Sequence, residues 1–504
     1  MFYLVYIYFK LFLYTYWDHF KINTIEPTFP FGNIGKIFLG QYGLGDCVKH
    51  FYDSCTDKFA GIYFISAPAL IIKDPDLIKH IIVKDFNSFT DRGIYTDEKK
   101  EPTSGHLFRL NGDRWKNIRN KLTPAFTSGK LKMMFSIITD VGNELILYLQ
   151  KECANEVDVD DTTTRYSADI IASTIFGIET NSFRNKCNDF ILMAKDLFVS
   201  ESYIRIAKAA IQAFFPSLLK PFNLESVKQA QDKFISNMVE DVIRHREKHN
   251  VIRNDLMQLL IQLKNKGVID PVDVNNPAVY DGEDTNEVRL TLNEISAQAY
   301  TFFFAGFETT SSTLSFLMYE CALNLELQYE LQKSIDAVLD KYNGTLTYES
   351  IFEMDYLDRV ISETLRKYPI LPFLNRIATE DYIIPGREDV TIKKGTRILV
   401  SVSGLHYDPN YYPDPQKFDP DRFLNEKIQE RHQFCYLPFG EGPRRCIGKR
   451  MARVMIAVGA ATLLKNFSVN VCERTEIPPE FNRLAYFIRT KNPIKLKFIQ
   501  RSNP

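Results

Sequence analysis

Among the eight cysteines of this 504-residue chain there is no C-x-x-C pair. That excludes a zinc framework or a disulfide scaffold, and scattered thiols suit a reducing compartment. Neither sign of charge is in excess: 62 Lys+Arg stand against 63 Asp+Glu, a net charge of −1, so the total gives no reason to expect nucleic acid. No low-complexity tract argues for disorder, no internal repeat for a solenoid, and no Gly/Ser-rich linker divides the body after Pro27. The eight histidines show no ligand spacing, and His406 reads as structural. A long apolar run is missing as well. The N-terminal stretch Met1–Trp17 is interrupted by Lys10, and it falls short of the roughly 20 residues a spanning helix needs. It has no basic start or small-residue cleavage site, so a secretory signal is a poor match.

What is there is a globular composition, 45% hydrophobic and 25% charged, with 38 Phe and 26 Tyr to fill a large apolar interior. Helical periodicity dominates. Short β-rich pieces at Ile62–Ile65, Leu70–Ile72 and Arg397–Ser401 predict a small sheet. The expectation is one large, mostly α domain with a small β region. The acidic, proline-bearing stretch Asp270–Asp284 reads as exposed loop. It precedes a capping box, Thr291-Leu-Asn-Glu294, that opens a helix apolar on nearly all faces and therefore crossing the interior.

Two motifs carry chemistry. In the run from Phe439 to Gly448, Cys446 lies in a glycine-rich, arginine-bearing loop that opens into an apolar helical run. A thiolate just before a helix sits where unpaired N–H groups and the helix dipole stabilise negative charge. Gly442 and Gly448 let this backbone turn and approach something flat. In the middle of the long apolar helix stands Ala305-Gly306-Phe307-Glu308-Thr309-Thr310. A carboxylate and a hydroxyl are costly there unless hydrogen-bonded. Thr309 is expected to bond back to the Ala305 carbonyl, and Gly306 to thin the helix for a flat ligand. Elsewhere, Glu363 and Arg366 form a charge pair on one helix face, closed by Pro369 and Pro372.

The Cys446 loop, with Phe439, Gly442, Arg444, Cys446 and Gly448 agreeing at fixed spacing, resembles the cysteine-ligand loop of the cytochrome P-450 family of haem–thiolate monooxygenases. The Ala305–Thr310 run resembles that family's oxygen-binding groove, and Glu363-x-x-Arg366 its E-x-x-R motif. The chain departs slightly at Asp421, where Glu is commoner. Leu122–Met133 and Phe303–Thr309 are similar to microsomal members known from insects that oxidise xenobiotics and lipids. The resemblance runs from about Pro27 onward and implies the family's fold, with a long central helix over haem b and the cysteine loop beneath it.

By that resemblance Cys446 is the thiolate ligand of the iron, and Glu308 and Thr309 relay protons. Trp115, Arg119, Arg376, Arg444 and, less strongly, Arg92 meet the haem propionates. Ala305, Phe439, Gly442 and Gly448 complete the haem-binding set, and Glu363, Arg366 and Arg422 lock the loop. NADPH and O2 are the implied co-substrates, with electrons from a NADPH–cytochrome reductase, and cytochrome b5 a further partner. The reductase would dock on the cationic residues Arg445, Lys449, Arg450 and Arg453 beside the cysteine loop, while a second basic group, Arg114, Lys116, Arg119, Lys121, Lys130 and Lys132, has a solvated face as its default reading. Recognition segments at Ile94–Leu107, Phe198–Phe215, Phe302–Ala305, Ile370–Phe373 and Leu484–Phe487 imply a lipophilic, uncharged substrate. Residues 1–24 read as a short or trimmed membrane anchor and linker, with Tyr and Trp at the interface, and 25–504 as one domain facing the cytosol from the endoplasmic reticulum membrane. Two rival readings are a haem–thiolate isomerase or dehydratase acting on peroxides without a reductase, and a non-catalytic haem- or lipid-binding protein.

Overall fold

The computed structural model describes residues 2–152, 155–185, 189–198, 228–269, 288–483 and 485–502. Within these the chain is mostly helical, with a small sheet at one side. Strands β1 (Phe59–Phe64) and β2 (Ala67–Ile72) form an antiparallel hairpin, with Phe59 opposite Ile72. β4 (Arg397–Ser401) runs parallel to β2 from the pair Ala69 and Arg397, and β3 (Phe373–Ile377) closes the sheet antiparallel to β4. β1 and β4 are buried along their whole length, so neither shows an apolar–polar alternation.

The expected interior helix is Leu292–Leu323, and it begins at the predicted capping box. Thr291 Oγ1 accepts from Glu294 N at 3.2 Å, while Glu294 Oε2 accepts from Thr291 N at 2.9 Å. Two helices pack against it from opposite ends of the sequence, Val159–Ile171 and Lys449–Asn466. Tyr166 donates its hydroxyl to Met455 O at 2.9 Å, and Thr163 shares a 2.8 Å hydrogen bond with Ser315. Small residues set these approaches. A Cβ on Gly306 would stand 2.4 Å from Ile171 Cδ1, and one on Gly459 would stand 2.8 Å from Leu314 Cδ2. Gly306 therefore serves helix–helix packing, and it also lines the cavity described below.

The N-terminal stretch also differs from expectation. Trp17 is fully buried against the sheet, donates Nε1 to Ile62 O at 3.3 Å, and occupies the space a Cβ on Gly61 would need. An indole held this way is a core residue, not an interface anchor. The preceding segment, Phe2–Leu13, is helical and leaves Tyr3, Leu4, Tyr8, Leu11 and Phe12 exposed. No helix among the described residues is long and apolar enough to cross a membrane. The Asp270–Asp284 loop and most of the Phe198–Phe215 recognition segment lie outside the described residues.

Candidate functional site

The Cys446 loop is a built turn. Cys446 N donates to Phe439 O at 2.9 Å, Arg445 N to Gly442 O at 3.0 Å, and the Lys449–Asn466 helix starts immediately after, with Gly448 at its N-cap. Gly442 has φ +75°, and a Cβ there would lie 1.9 Å from Ile82 O. Its need for glycine comes from a neighbouring backbone rather than from a flat ligand. Gly448 has nothing within 4 Å of its Cβ position, so it does leave open space. Burial pushes the Cys446 thiol up, and the Gly448 N–H with Arg119, Arg92 and Lys449 pulls it back. The cysteine is exposed by area, but that surface faces an internal cavity.

The cavity holds about 600 Å³ and brings Cys446 together with Ala305, Glu308 and Thr309 of the central helix. Thr309 donates Oγ1 to Ala305 O at 2.5 Å, as its spacing predicts. Glu308 is buried; burial raises its carboxyl group, Arg489 lowers it, Asp160 raises it and Ser312 lowers it. No motif points to Arg489 or Asp160 here, because a contact between distant segments leaves no local spacing. The apolar wall carries the expected Ile94, Leu107, Phe302, Phe304, Ile370 and Phe487, while His106 and Arg109 add polar atoms.

Cationic side chains gather at one side. Arg444 donates to the carbonyls of Thr90 and Leu110 at 2.9 and 2.7 Å, and its guanidinium stacks 4.1 Å over the Trp115 ring. Arg92 donates to Phe108 O and Arg444 O, Arg119 to Arg445 O, and Arg376 to Asn375 O. Among the described residues none of these four makes an ion pair with a carboxylate, and Arg376 Nε is buried without a hydrogen-bond partner. Burial, reinforced by the neighbouring arginines, pushes Arg376 down to about 9 and Arg444 to about 8. A guanidinium does not release its proton in a protein. The cluster is therefore a cradle whose charge a buried dianion would neutralise, and the residues present fit a haem with its propionates.

Beneath the loop, Arg366 grips Glu363 through two hydrogen bonds of 2.7 and 2.8 Å, both side chains fully buried. Arg422 joins at 3.5 Å from Glu363 Oε1 without a hydrogen bond from its Nε. His406 accepts from Leu437 N through Nε2 at 3.0 Å, which leaves Nδ1–H to donate to Arg366 O at 3.1 Å. It ties the Asp355–Lys367 helix to the segment leading into Cys446 and is structural. Of the cationic residues beside the loop, Arg445 and Arg450 are exposed and Lys449 partly so, while Arg453 is engaged with Asp358 and Ser362.

A thiol facing an acid–alcohol pair across an apolar cavity, beside a cradle of guanidinium groups, defines an oxidoreductase site built for a bound anionic cofactor. The sequence matches the family model "Cytochrome P450" over residues 28–498. It is similar to Cytochrome P450 6k1 of Blattella germanica, 38% identical over 490 residues that cover 97% of this chain and 93% of the relative. It is likewise similar to Cytochrome P450 6d3 of Musca domestica, 38% identical over 97% of this chain and 95% of that protein. Cytochrome P450 6a2 of Drosophila melanogaster is 36% identical over 98% and 96%. The chain belongs to the cytochrome P450 family and is a monooxygenase oxidoreductase. The family implies haem held by a cysteine thiolate, a redox partner and a lipophilic substrate.

Proposed function

We propose that the protein is a NADPH- and O2-dependent monooxygenase in which Cys446 supplies the thiolate and Glu308 and Thr309 supply protons to the oxygen side of the site. The observation that carries this reading is the single cavity lined by Cys446, Glu308 and Thr309. When bound, haem supplies oxygen activation, and thiolate donation favours O–O cleavage. The chain's own residues do the rest. Arg92, Arg119, Arg376 and Arg444, with Trp115, would hold the propionates, while Ala305, Phe439 and Gly448 shape the space for the ring and Gly442 makes the turn of the loop. Thr309 is poised to pass a proton by exchanging its bond to Ala305 O, with Glu308 behind it as the acid. The aromatic wall at Phe302, Phe304 and Phe487 excludes water and orients a lipophilic substrate.

Electrons come from an acidic NADPH–cytochrome reductase docked over Arg445 and Arg450, with cytochrome b5 as an auxiliary donor. The apolar N-terminal segment holds the domain on the endoplasmic reticulum membrane, facing the cytosol. Reconstitution with the reductase tests the reading: product forms only with NADPH and O2 both present. Turnover of a peroxide without NADPH, beside none with it, would instead favour an isomerase or dehydratase.

A further inference from the structure

The proposed relay needs Glu308 to keep its orientation, and the groups that meet its carboxyl come from three elements. Ser312 Oγ, one turn further along the same helix, lies 3.4 Å from Oε1, a weak hydrogen bond. Arg489 Nη1, from the C-terminal loop, lies 3.8 Å from the same oxygen, an ion pair without a hydrogen bond. Asp160, in the Val159–Ile171 helix, interacts electrostatically with both Glu308 and Arg489. Arg489 thus pairs with the buried Glu308 and feels a second acid from another helix.

Its position is fixed by its own loop. Ile488 N donates to Ile370 O at 3.0 Å, Asn482 N to Arg489 O at 2.8 Å, and Lys491 N to Glu480 O at 2.7 Å. Asp160 Oδ2 accepts from Ile494 N at 3.0 Å and from Thr490 Oγ1 at 3.3 Å, so one of the two acids also holds the loop that delivers the guanidinium. The Arg489 side chain is 33% exposed and that of Glu308 only 6%. Both line the cavity. The guanidinium is thus the partly exposed end of the pair and the carboxyl group its buried end. An exposed ion pair elsewhere on the protein would do little, but this one has a buried carboxylate at one end.

We propose that Arg489 is a positioning residue of the proton relay: it holds the Glu308 carboxyl in the cavity wall, and the loop that Asp160 ties down delivers it there. This rests on the reading of Glu308 as the relay acid. A proton that Glu308 gives toward Thr309 is replaced from the solvent side, so one O–H bond breaks and one forms at Glu308 in each cycle. The hydrogen-bonded loop keeps the cation in register while this happens.

The test compares Arg489→Gln, Arg489→Lys and Glu308→Gln in the full haem-loaded chain with its reductase. Product per NADPH is measured, and so is the Glu308 titration midpoint, read as the infrared carboxyl band that disappears in Glu308→Gln. Removing a cation that lowers the Glu308 carboxyl raises that midpoint, by about one pH unit for a tenfold effect. Arg489→Gln is expected to show this rise and a several-fold fall in coupling. Arg489→Lys restores much of both, and the Arg489→Gln effect on coupling disappears in the Glu308→Gln background. Full coupling in Glu308→Gln would overturn the relay and this proposal with it. Lost coupling in Glu308→Gln, beside an unmoved midpoint and full coupling in Arg489→Gln, would overturn the proposal alone.

Discussion

At Cys446 burial opposes the thiolate while the Gly448 N–H and three cations favour it. The position suits a charge that is compensated when iron binds. Thr309 makes the opposite wall reactive: its hydroxyl is near both the cavity and Glu308's turn of the helix, and its resting bond is to a carbonyl it can leave. Thr309→Ala is expected to lower coupled product formation by roughly 10²-fold, the low end of a general-acid contribution. NADPH consumption continues in that variant, so the ratio of product to NADPH is the measurement. Gly442 makes a different demand. With φ +75° and Ile82 O at 1.9 Å from any Cβ, Gly442→Ala adds about 1–3 kcal/mol of backbone strain and displaces the neighbouring helical turn His80–Lys84. A lower thermal midpoint together with reduced haem loading is the expected result.

Elements hold these residues in place. The Asp355–Lys367 helix carries the fully buried Glu363–Arg366 pair, and breaking such a pair by Glu363→Gln costs about 3–5 kcal/mol because it leaves a charge without its partner. Denaturant unfolding checks the size of this loss. The same helix is tied to the Cys446 segment by His406, whose imidazole burial, then Arg366, pushes down to about 3. Its folded value lies below the unfolded 6.5, so the unfolded state binds the extra proton. The stability it contributes is complete above pH 6.5 and is lost as pH falls toward 3. A His406→Gln variant should therefore show a flatter dependence of unfolding free energy on pH in that window. Much of this was legible in sequence. The capping box at Thr291 and Glu294, the Thr309 back-bond and the E-x-x-R pair are all short-range patterns, set by positions three or four apart. The packing partners of Gly306 and Gly442 were not legible, because glycine looks the same whether a ligand or a neighbouring chain segment requires its small size. Arg489, Asp160 and the orphaned Arg376 Nε depend on contacts between segments far apart in sequence, which no spacing records.

For the whole molecule, the N-terminus divides at the point where burial begins. Tyr14 packs on Tyr63 with ring centroids 5.2 Å apart, and its hydroxyl accepts from Gly32 N at 3.1 Å, while Trp17 is buried under β1. Removing residues 1–11 should leave the thermal midpoint nearly unchanged and weaken binding to lipid vesicles. Removing residues 1–17 also takes away a buried indole, a loss of about 3–5 kcal/mol, and should lower the midpoint clearly. Equal midpoints for the two truncations would contradict the packing described for Trp17. The central claim, that this fold holds haem through Cys446, is met most directly by the carbon-monoxide difference spectrum of the reduced full-length chain, recorded beside Cys446→His. The red-shifted band that gives the family its name, present in the wild type and absent in the variant, is the predicted result. A well-folded wild type that takes up haem without that band, or a variant that keeps it, would contradict the claim.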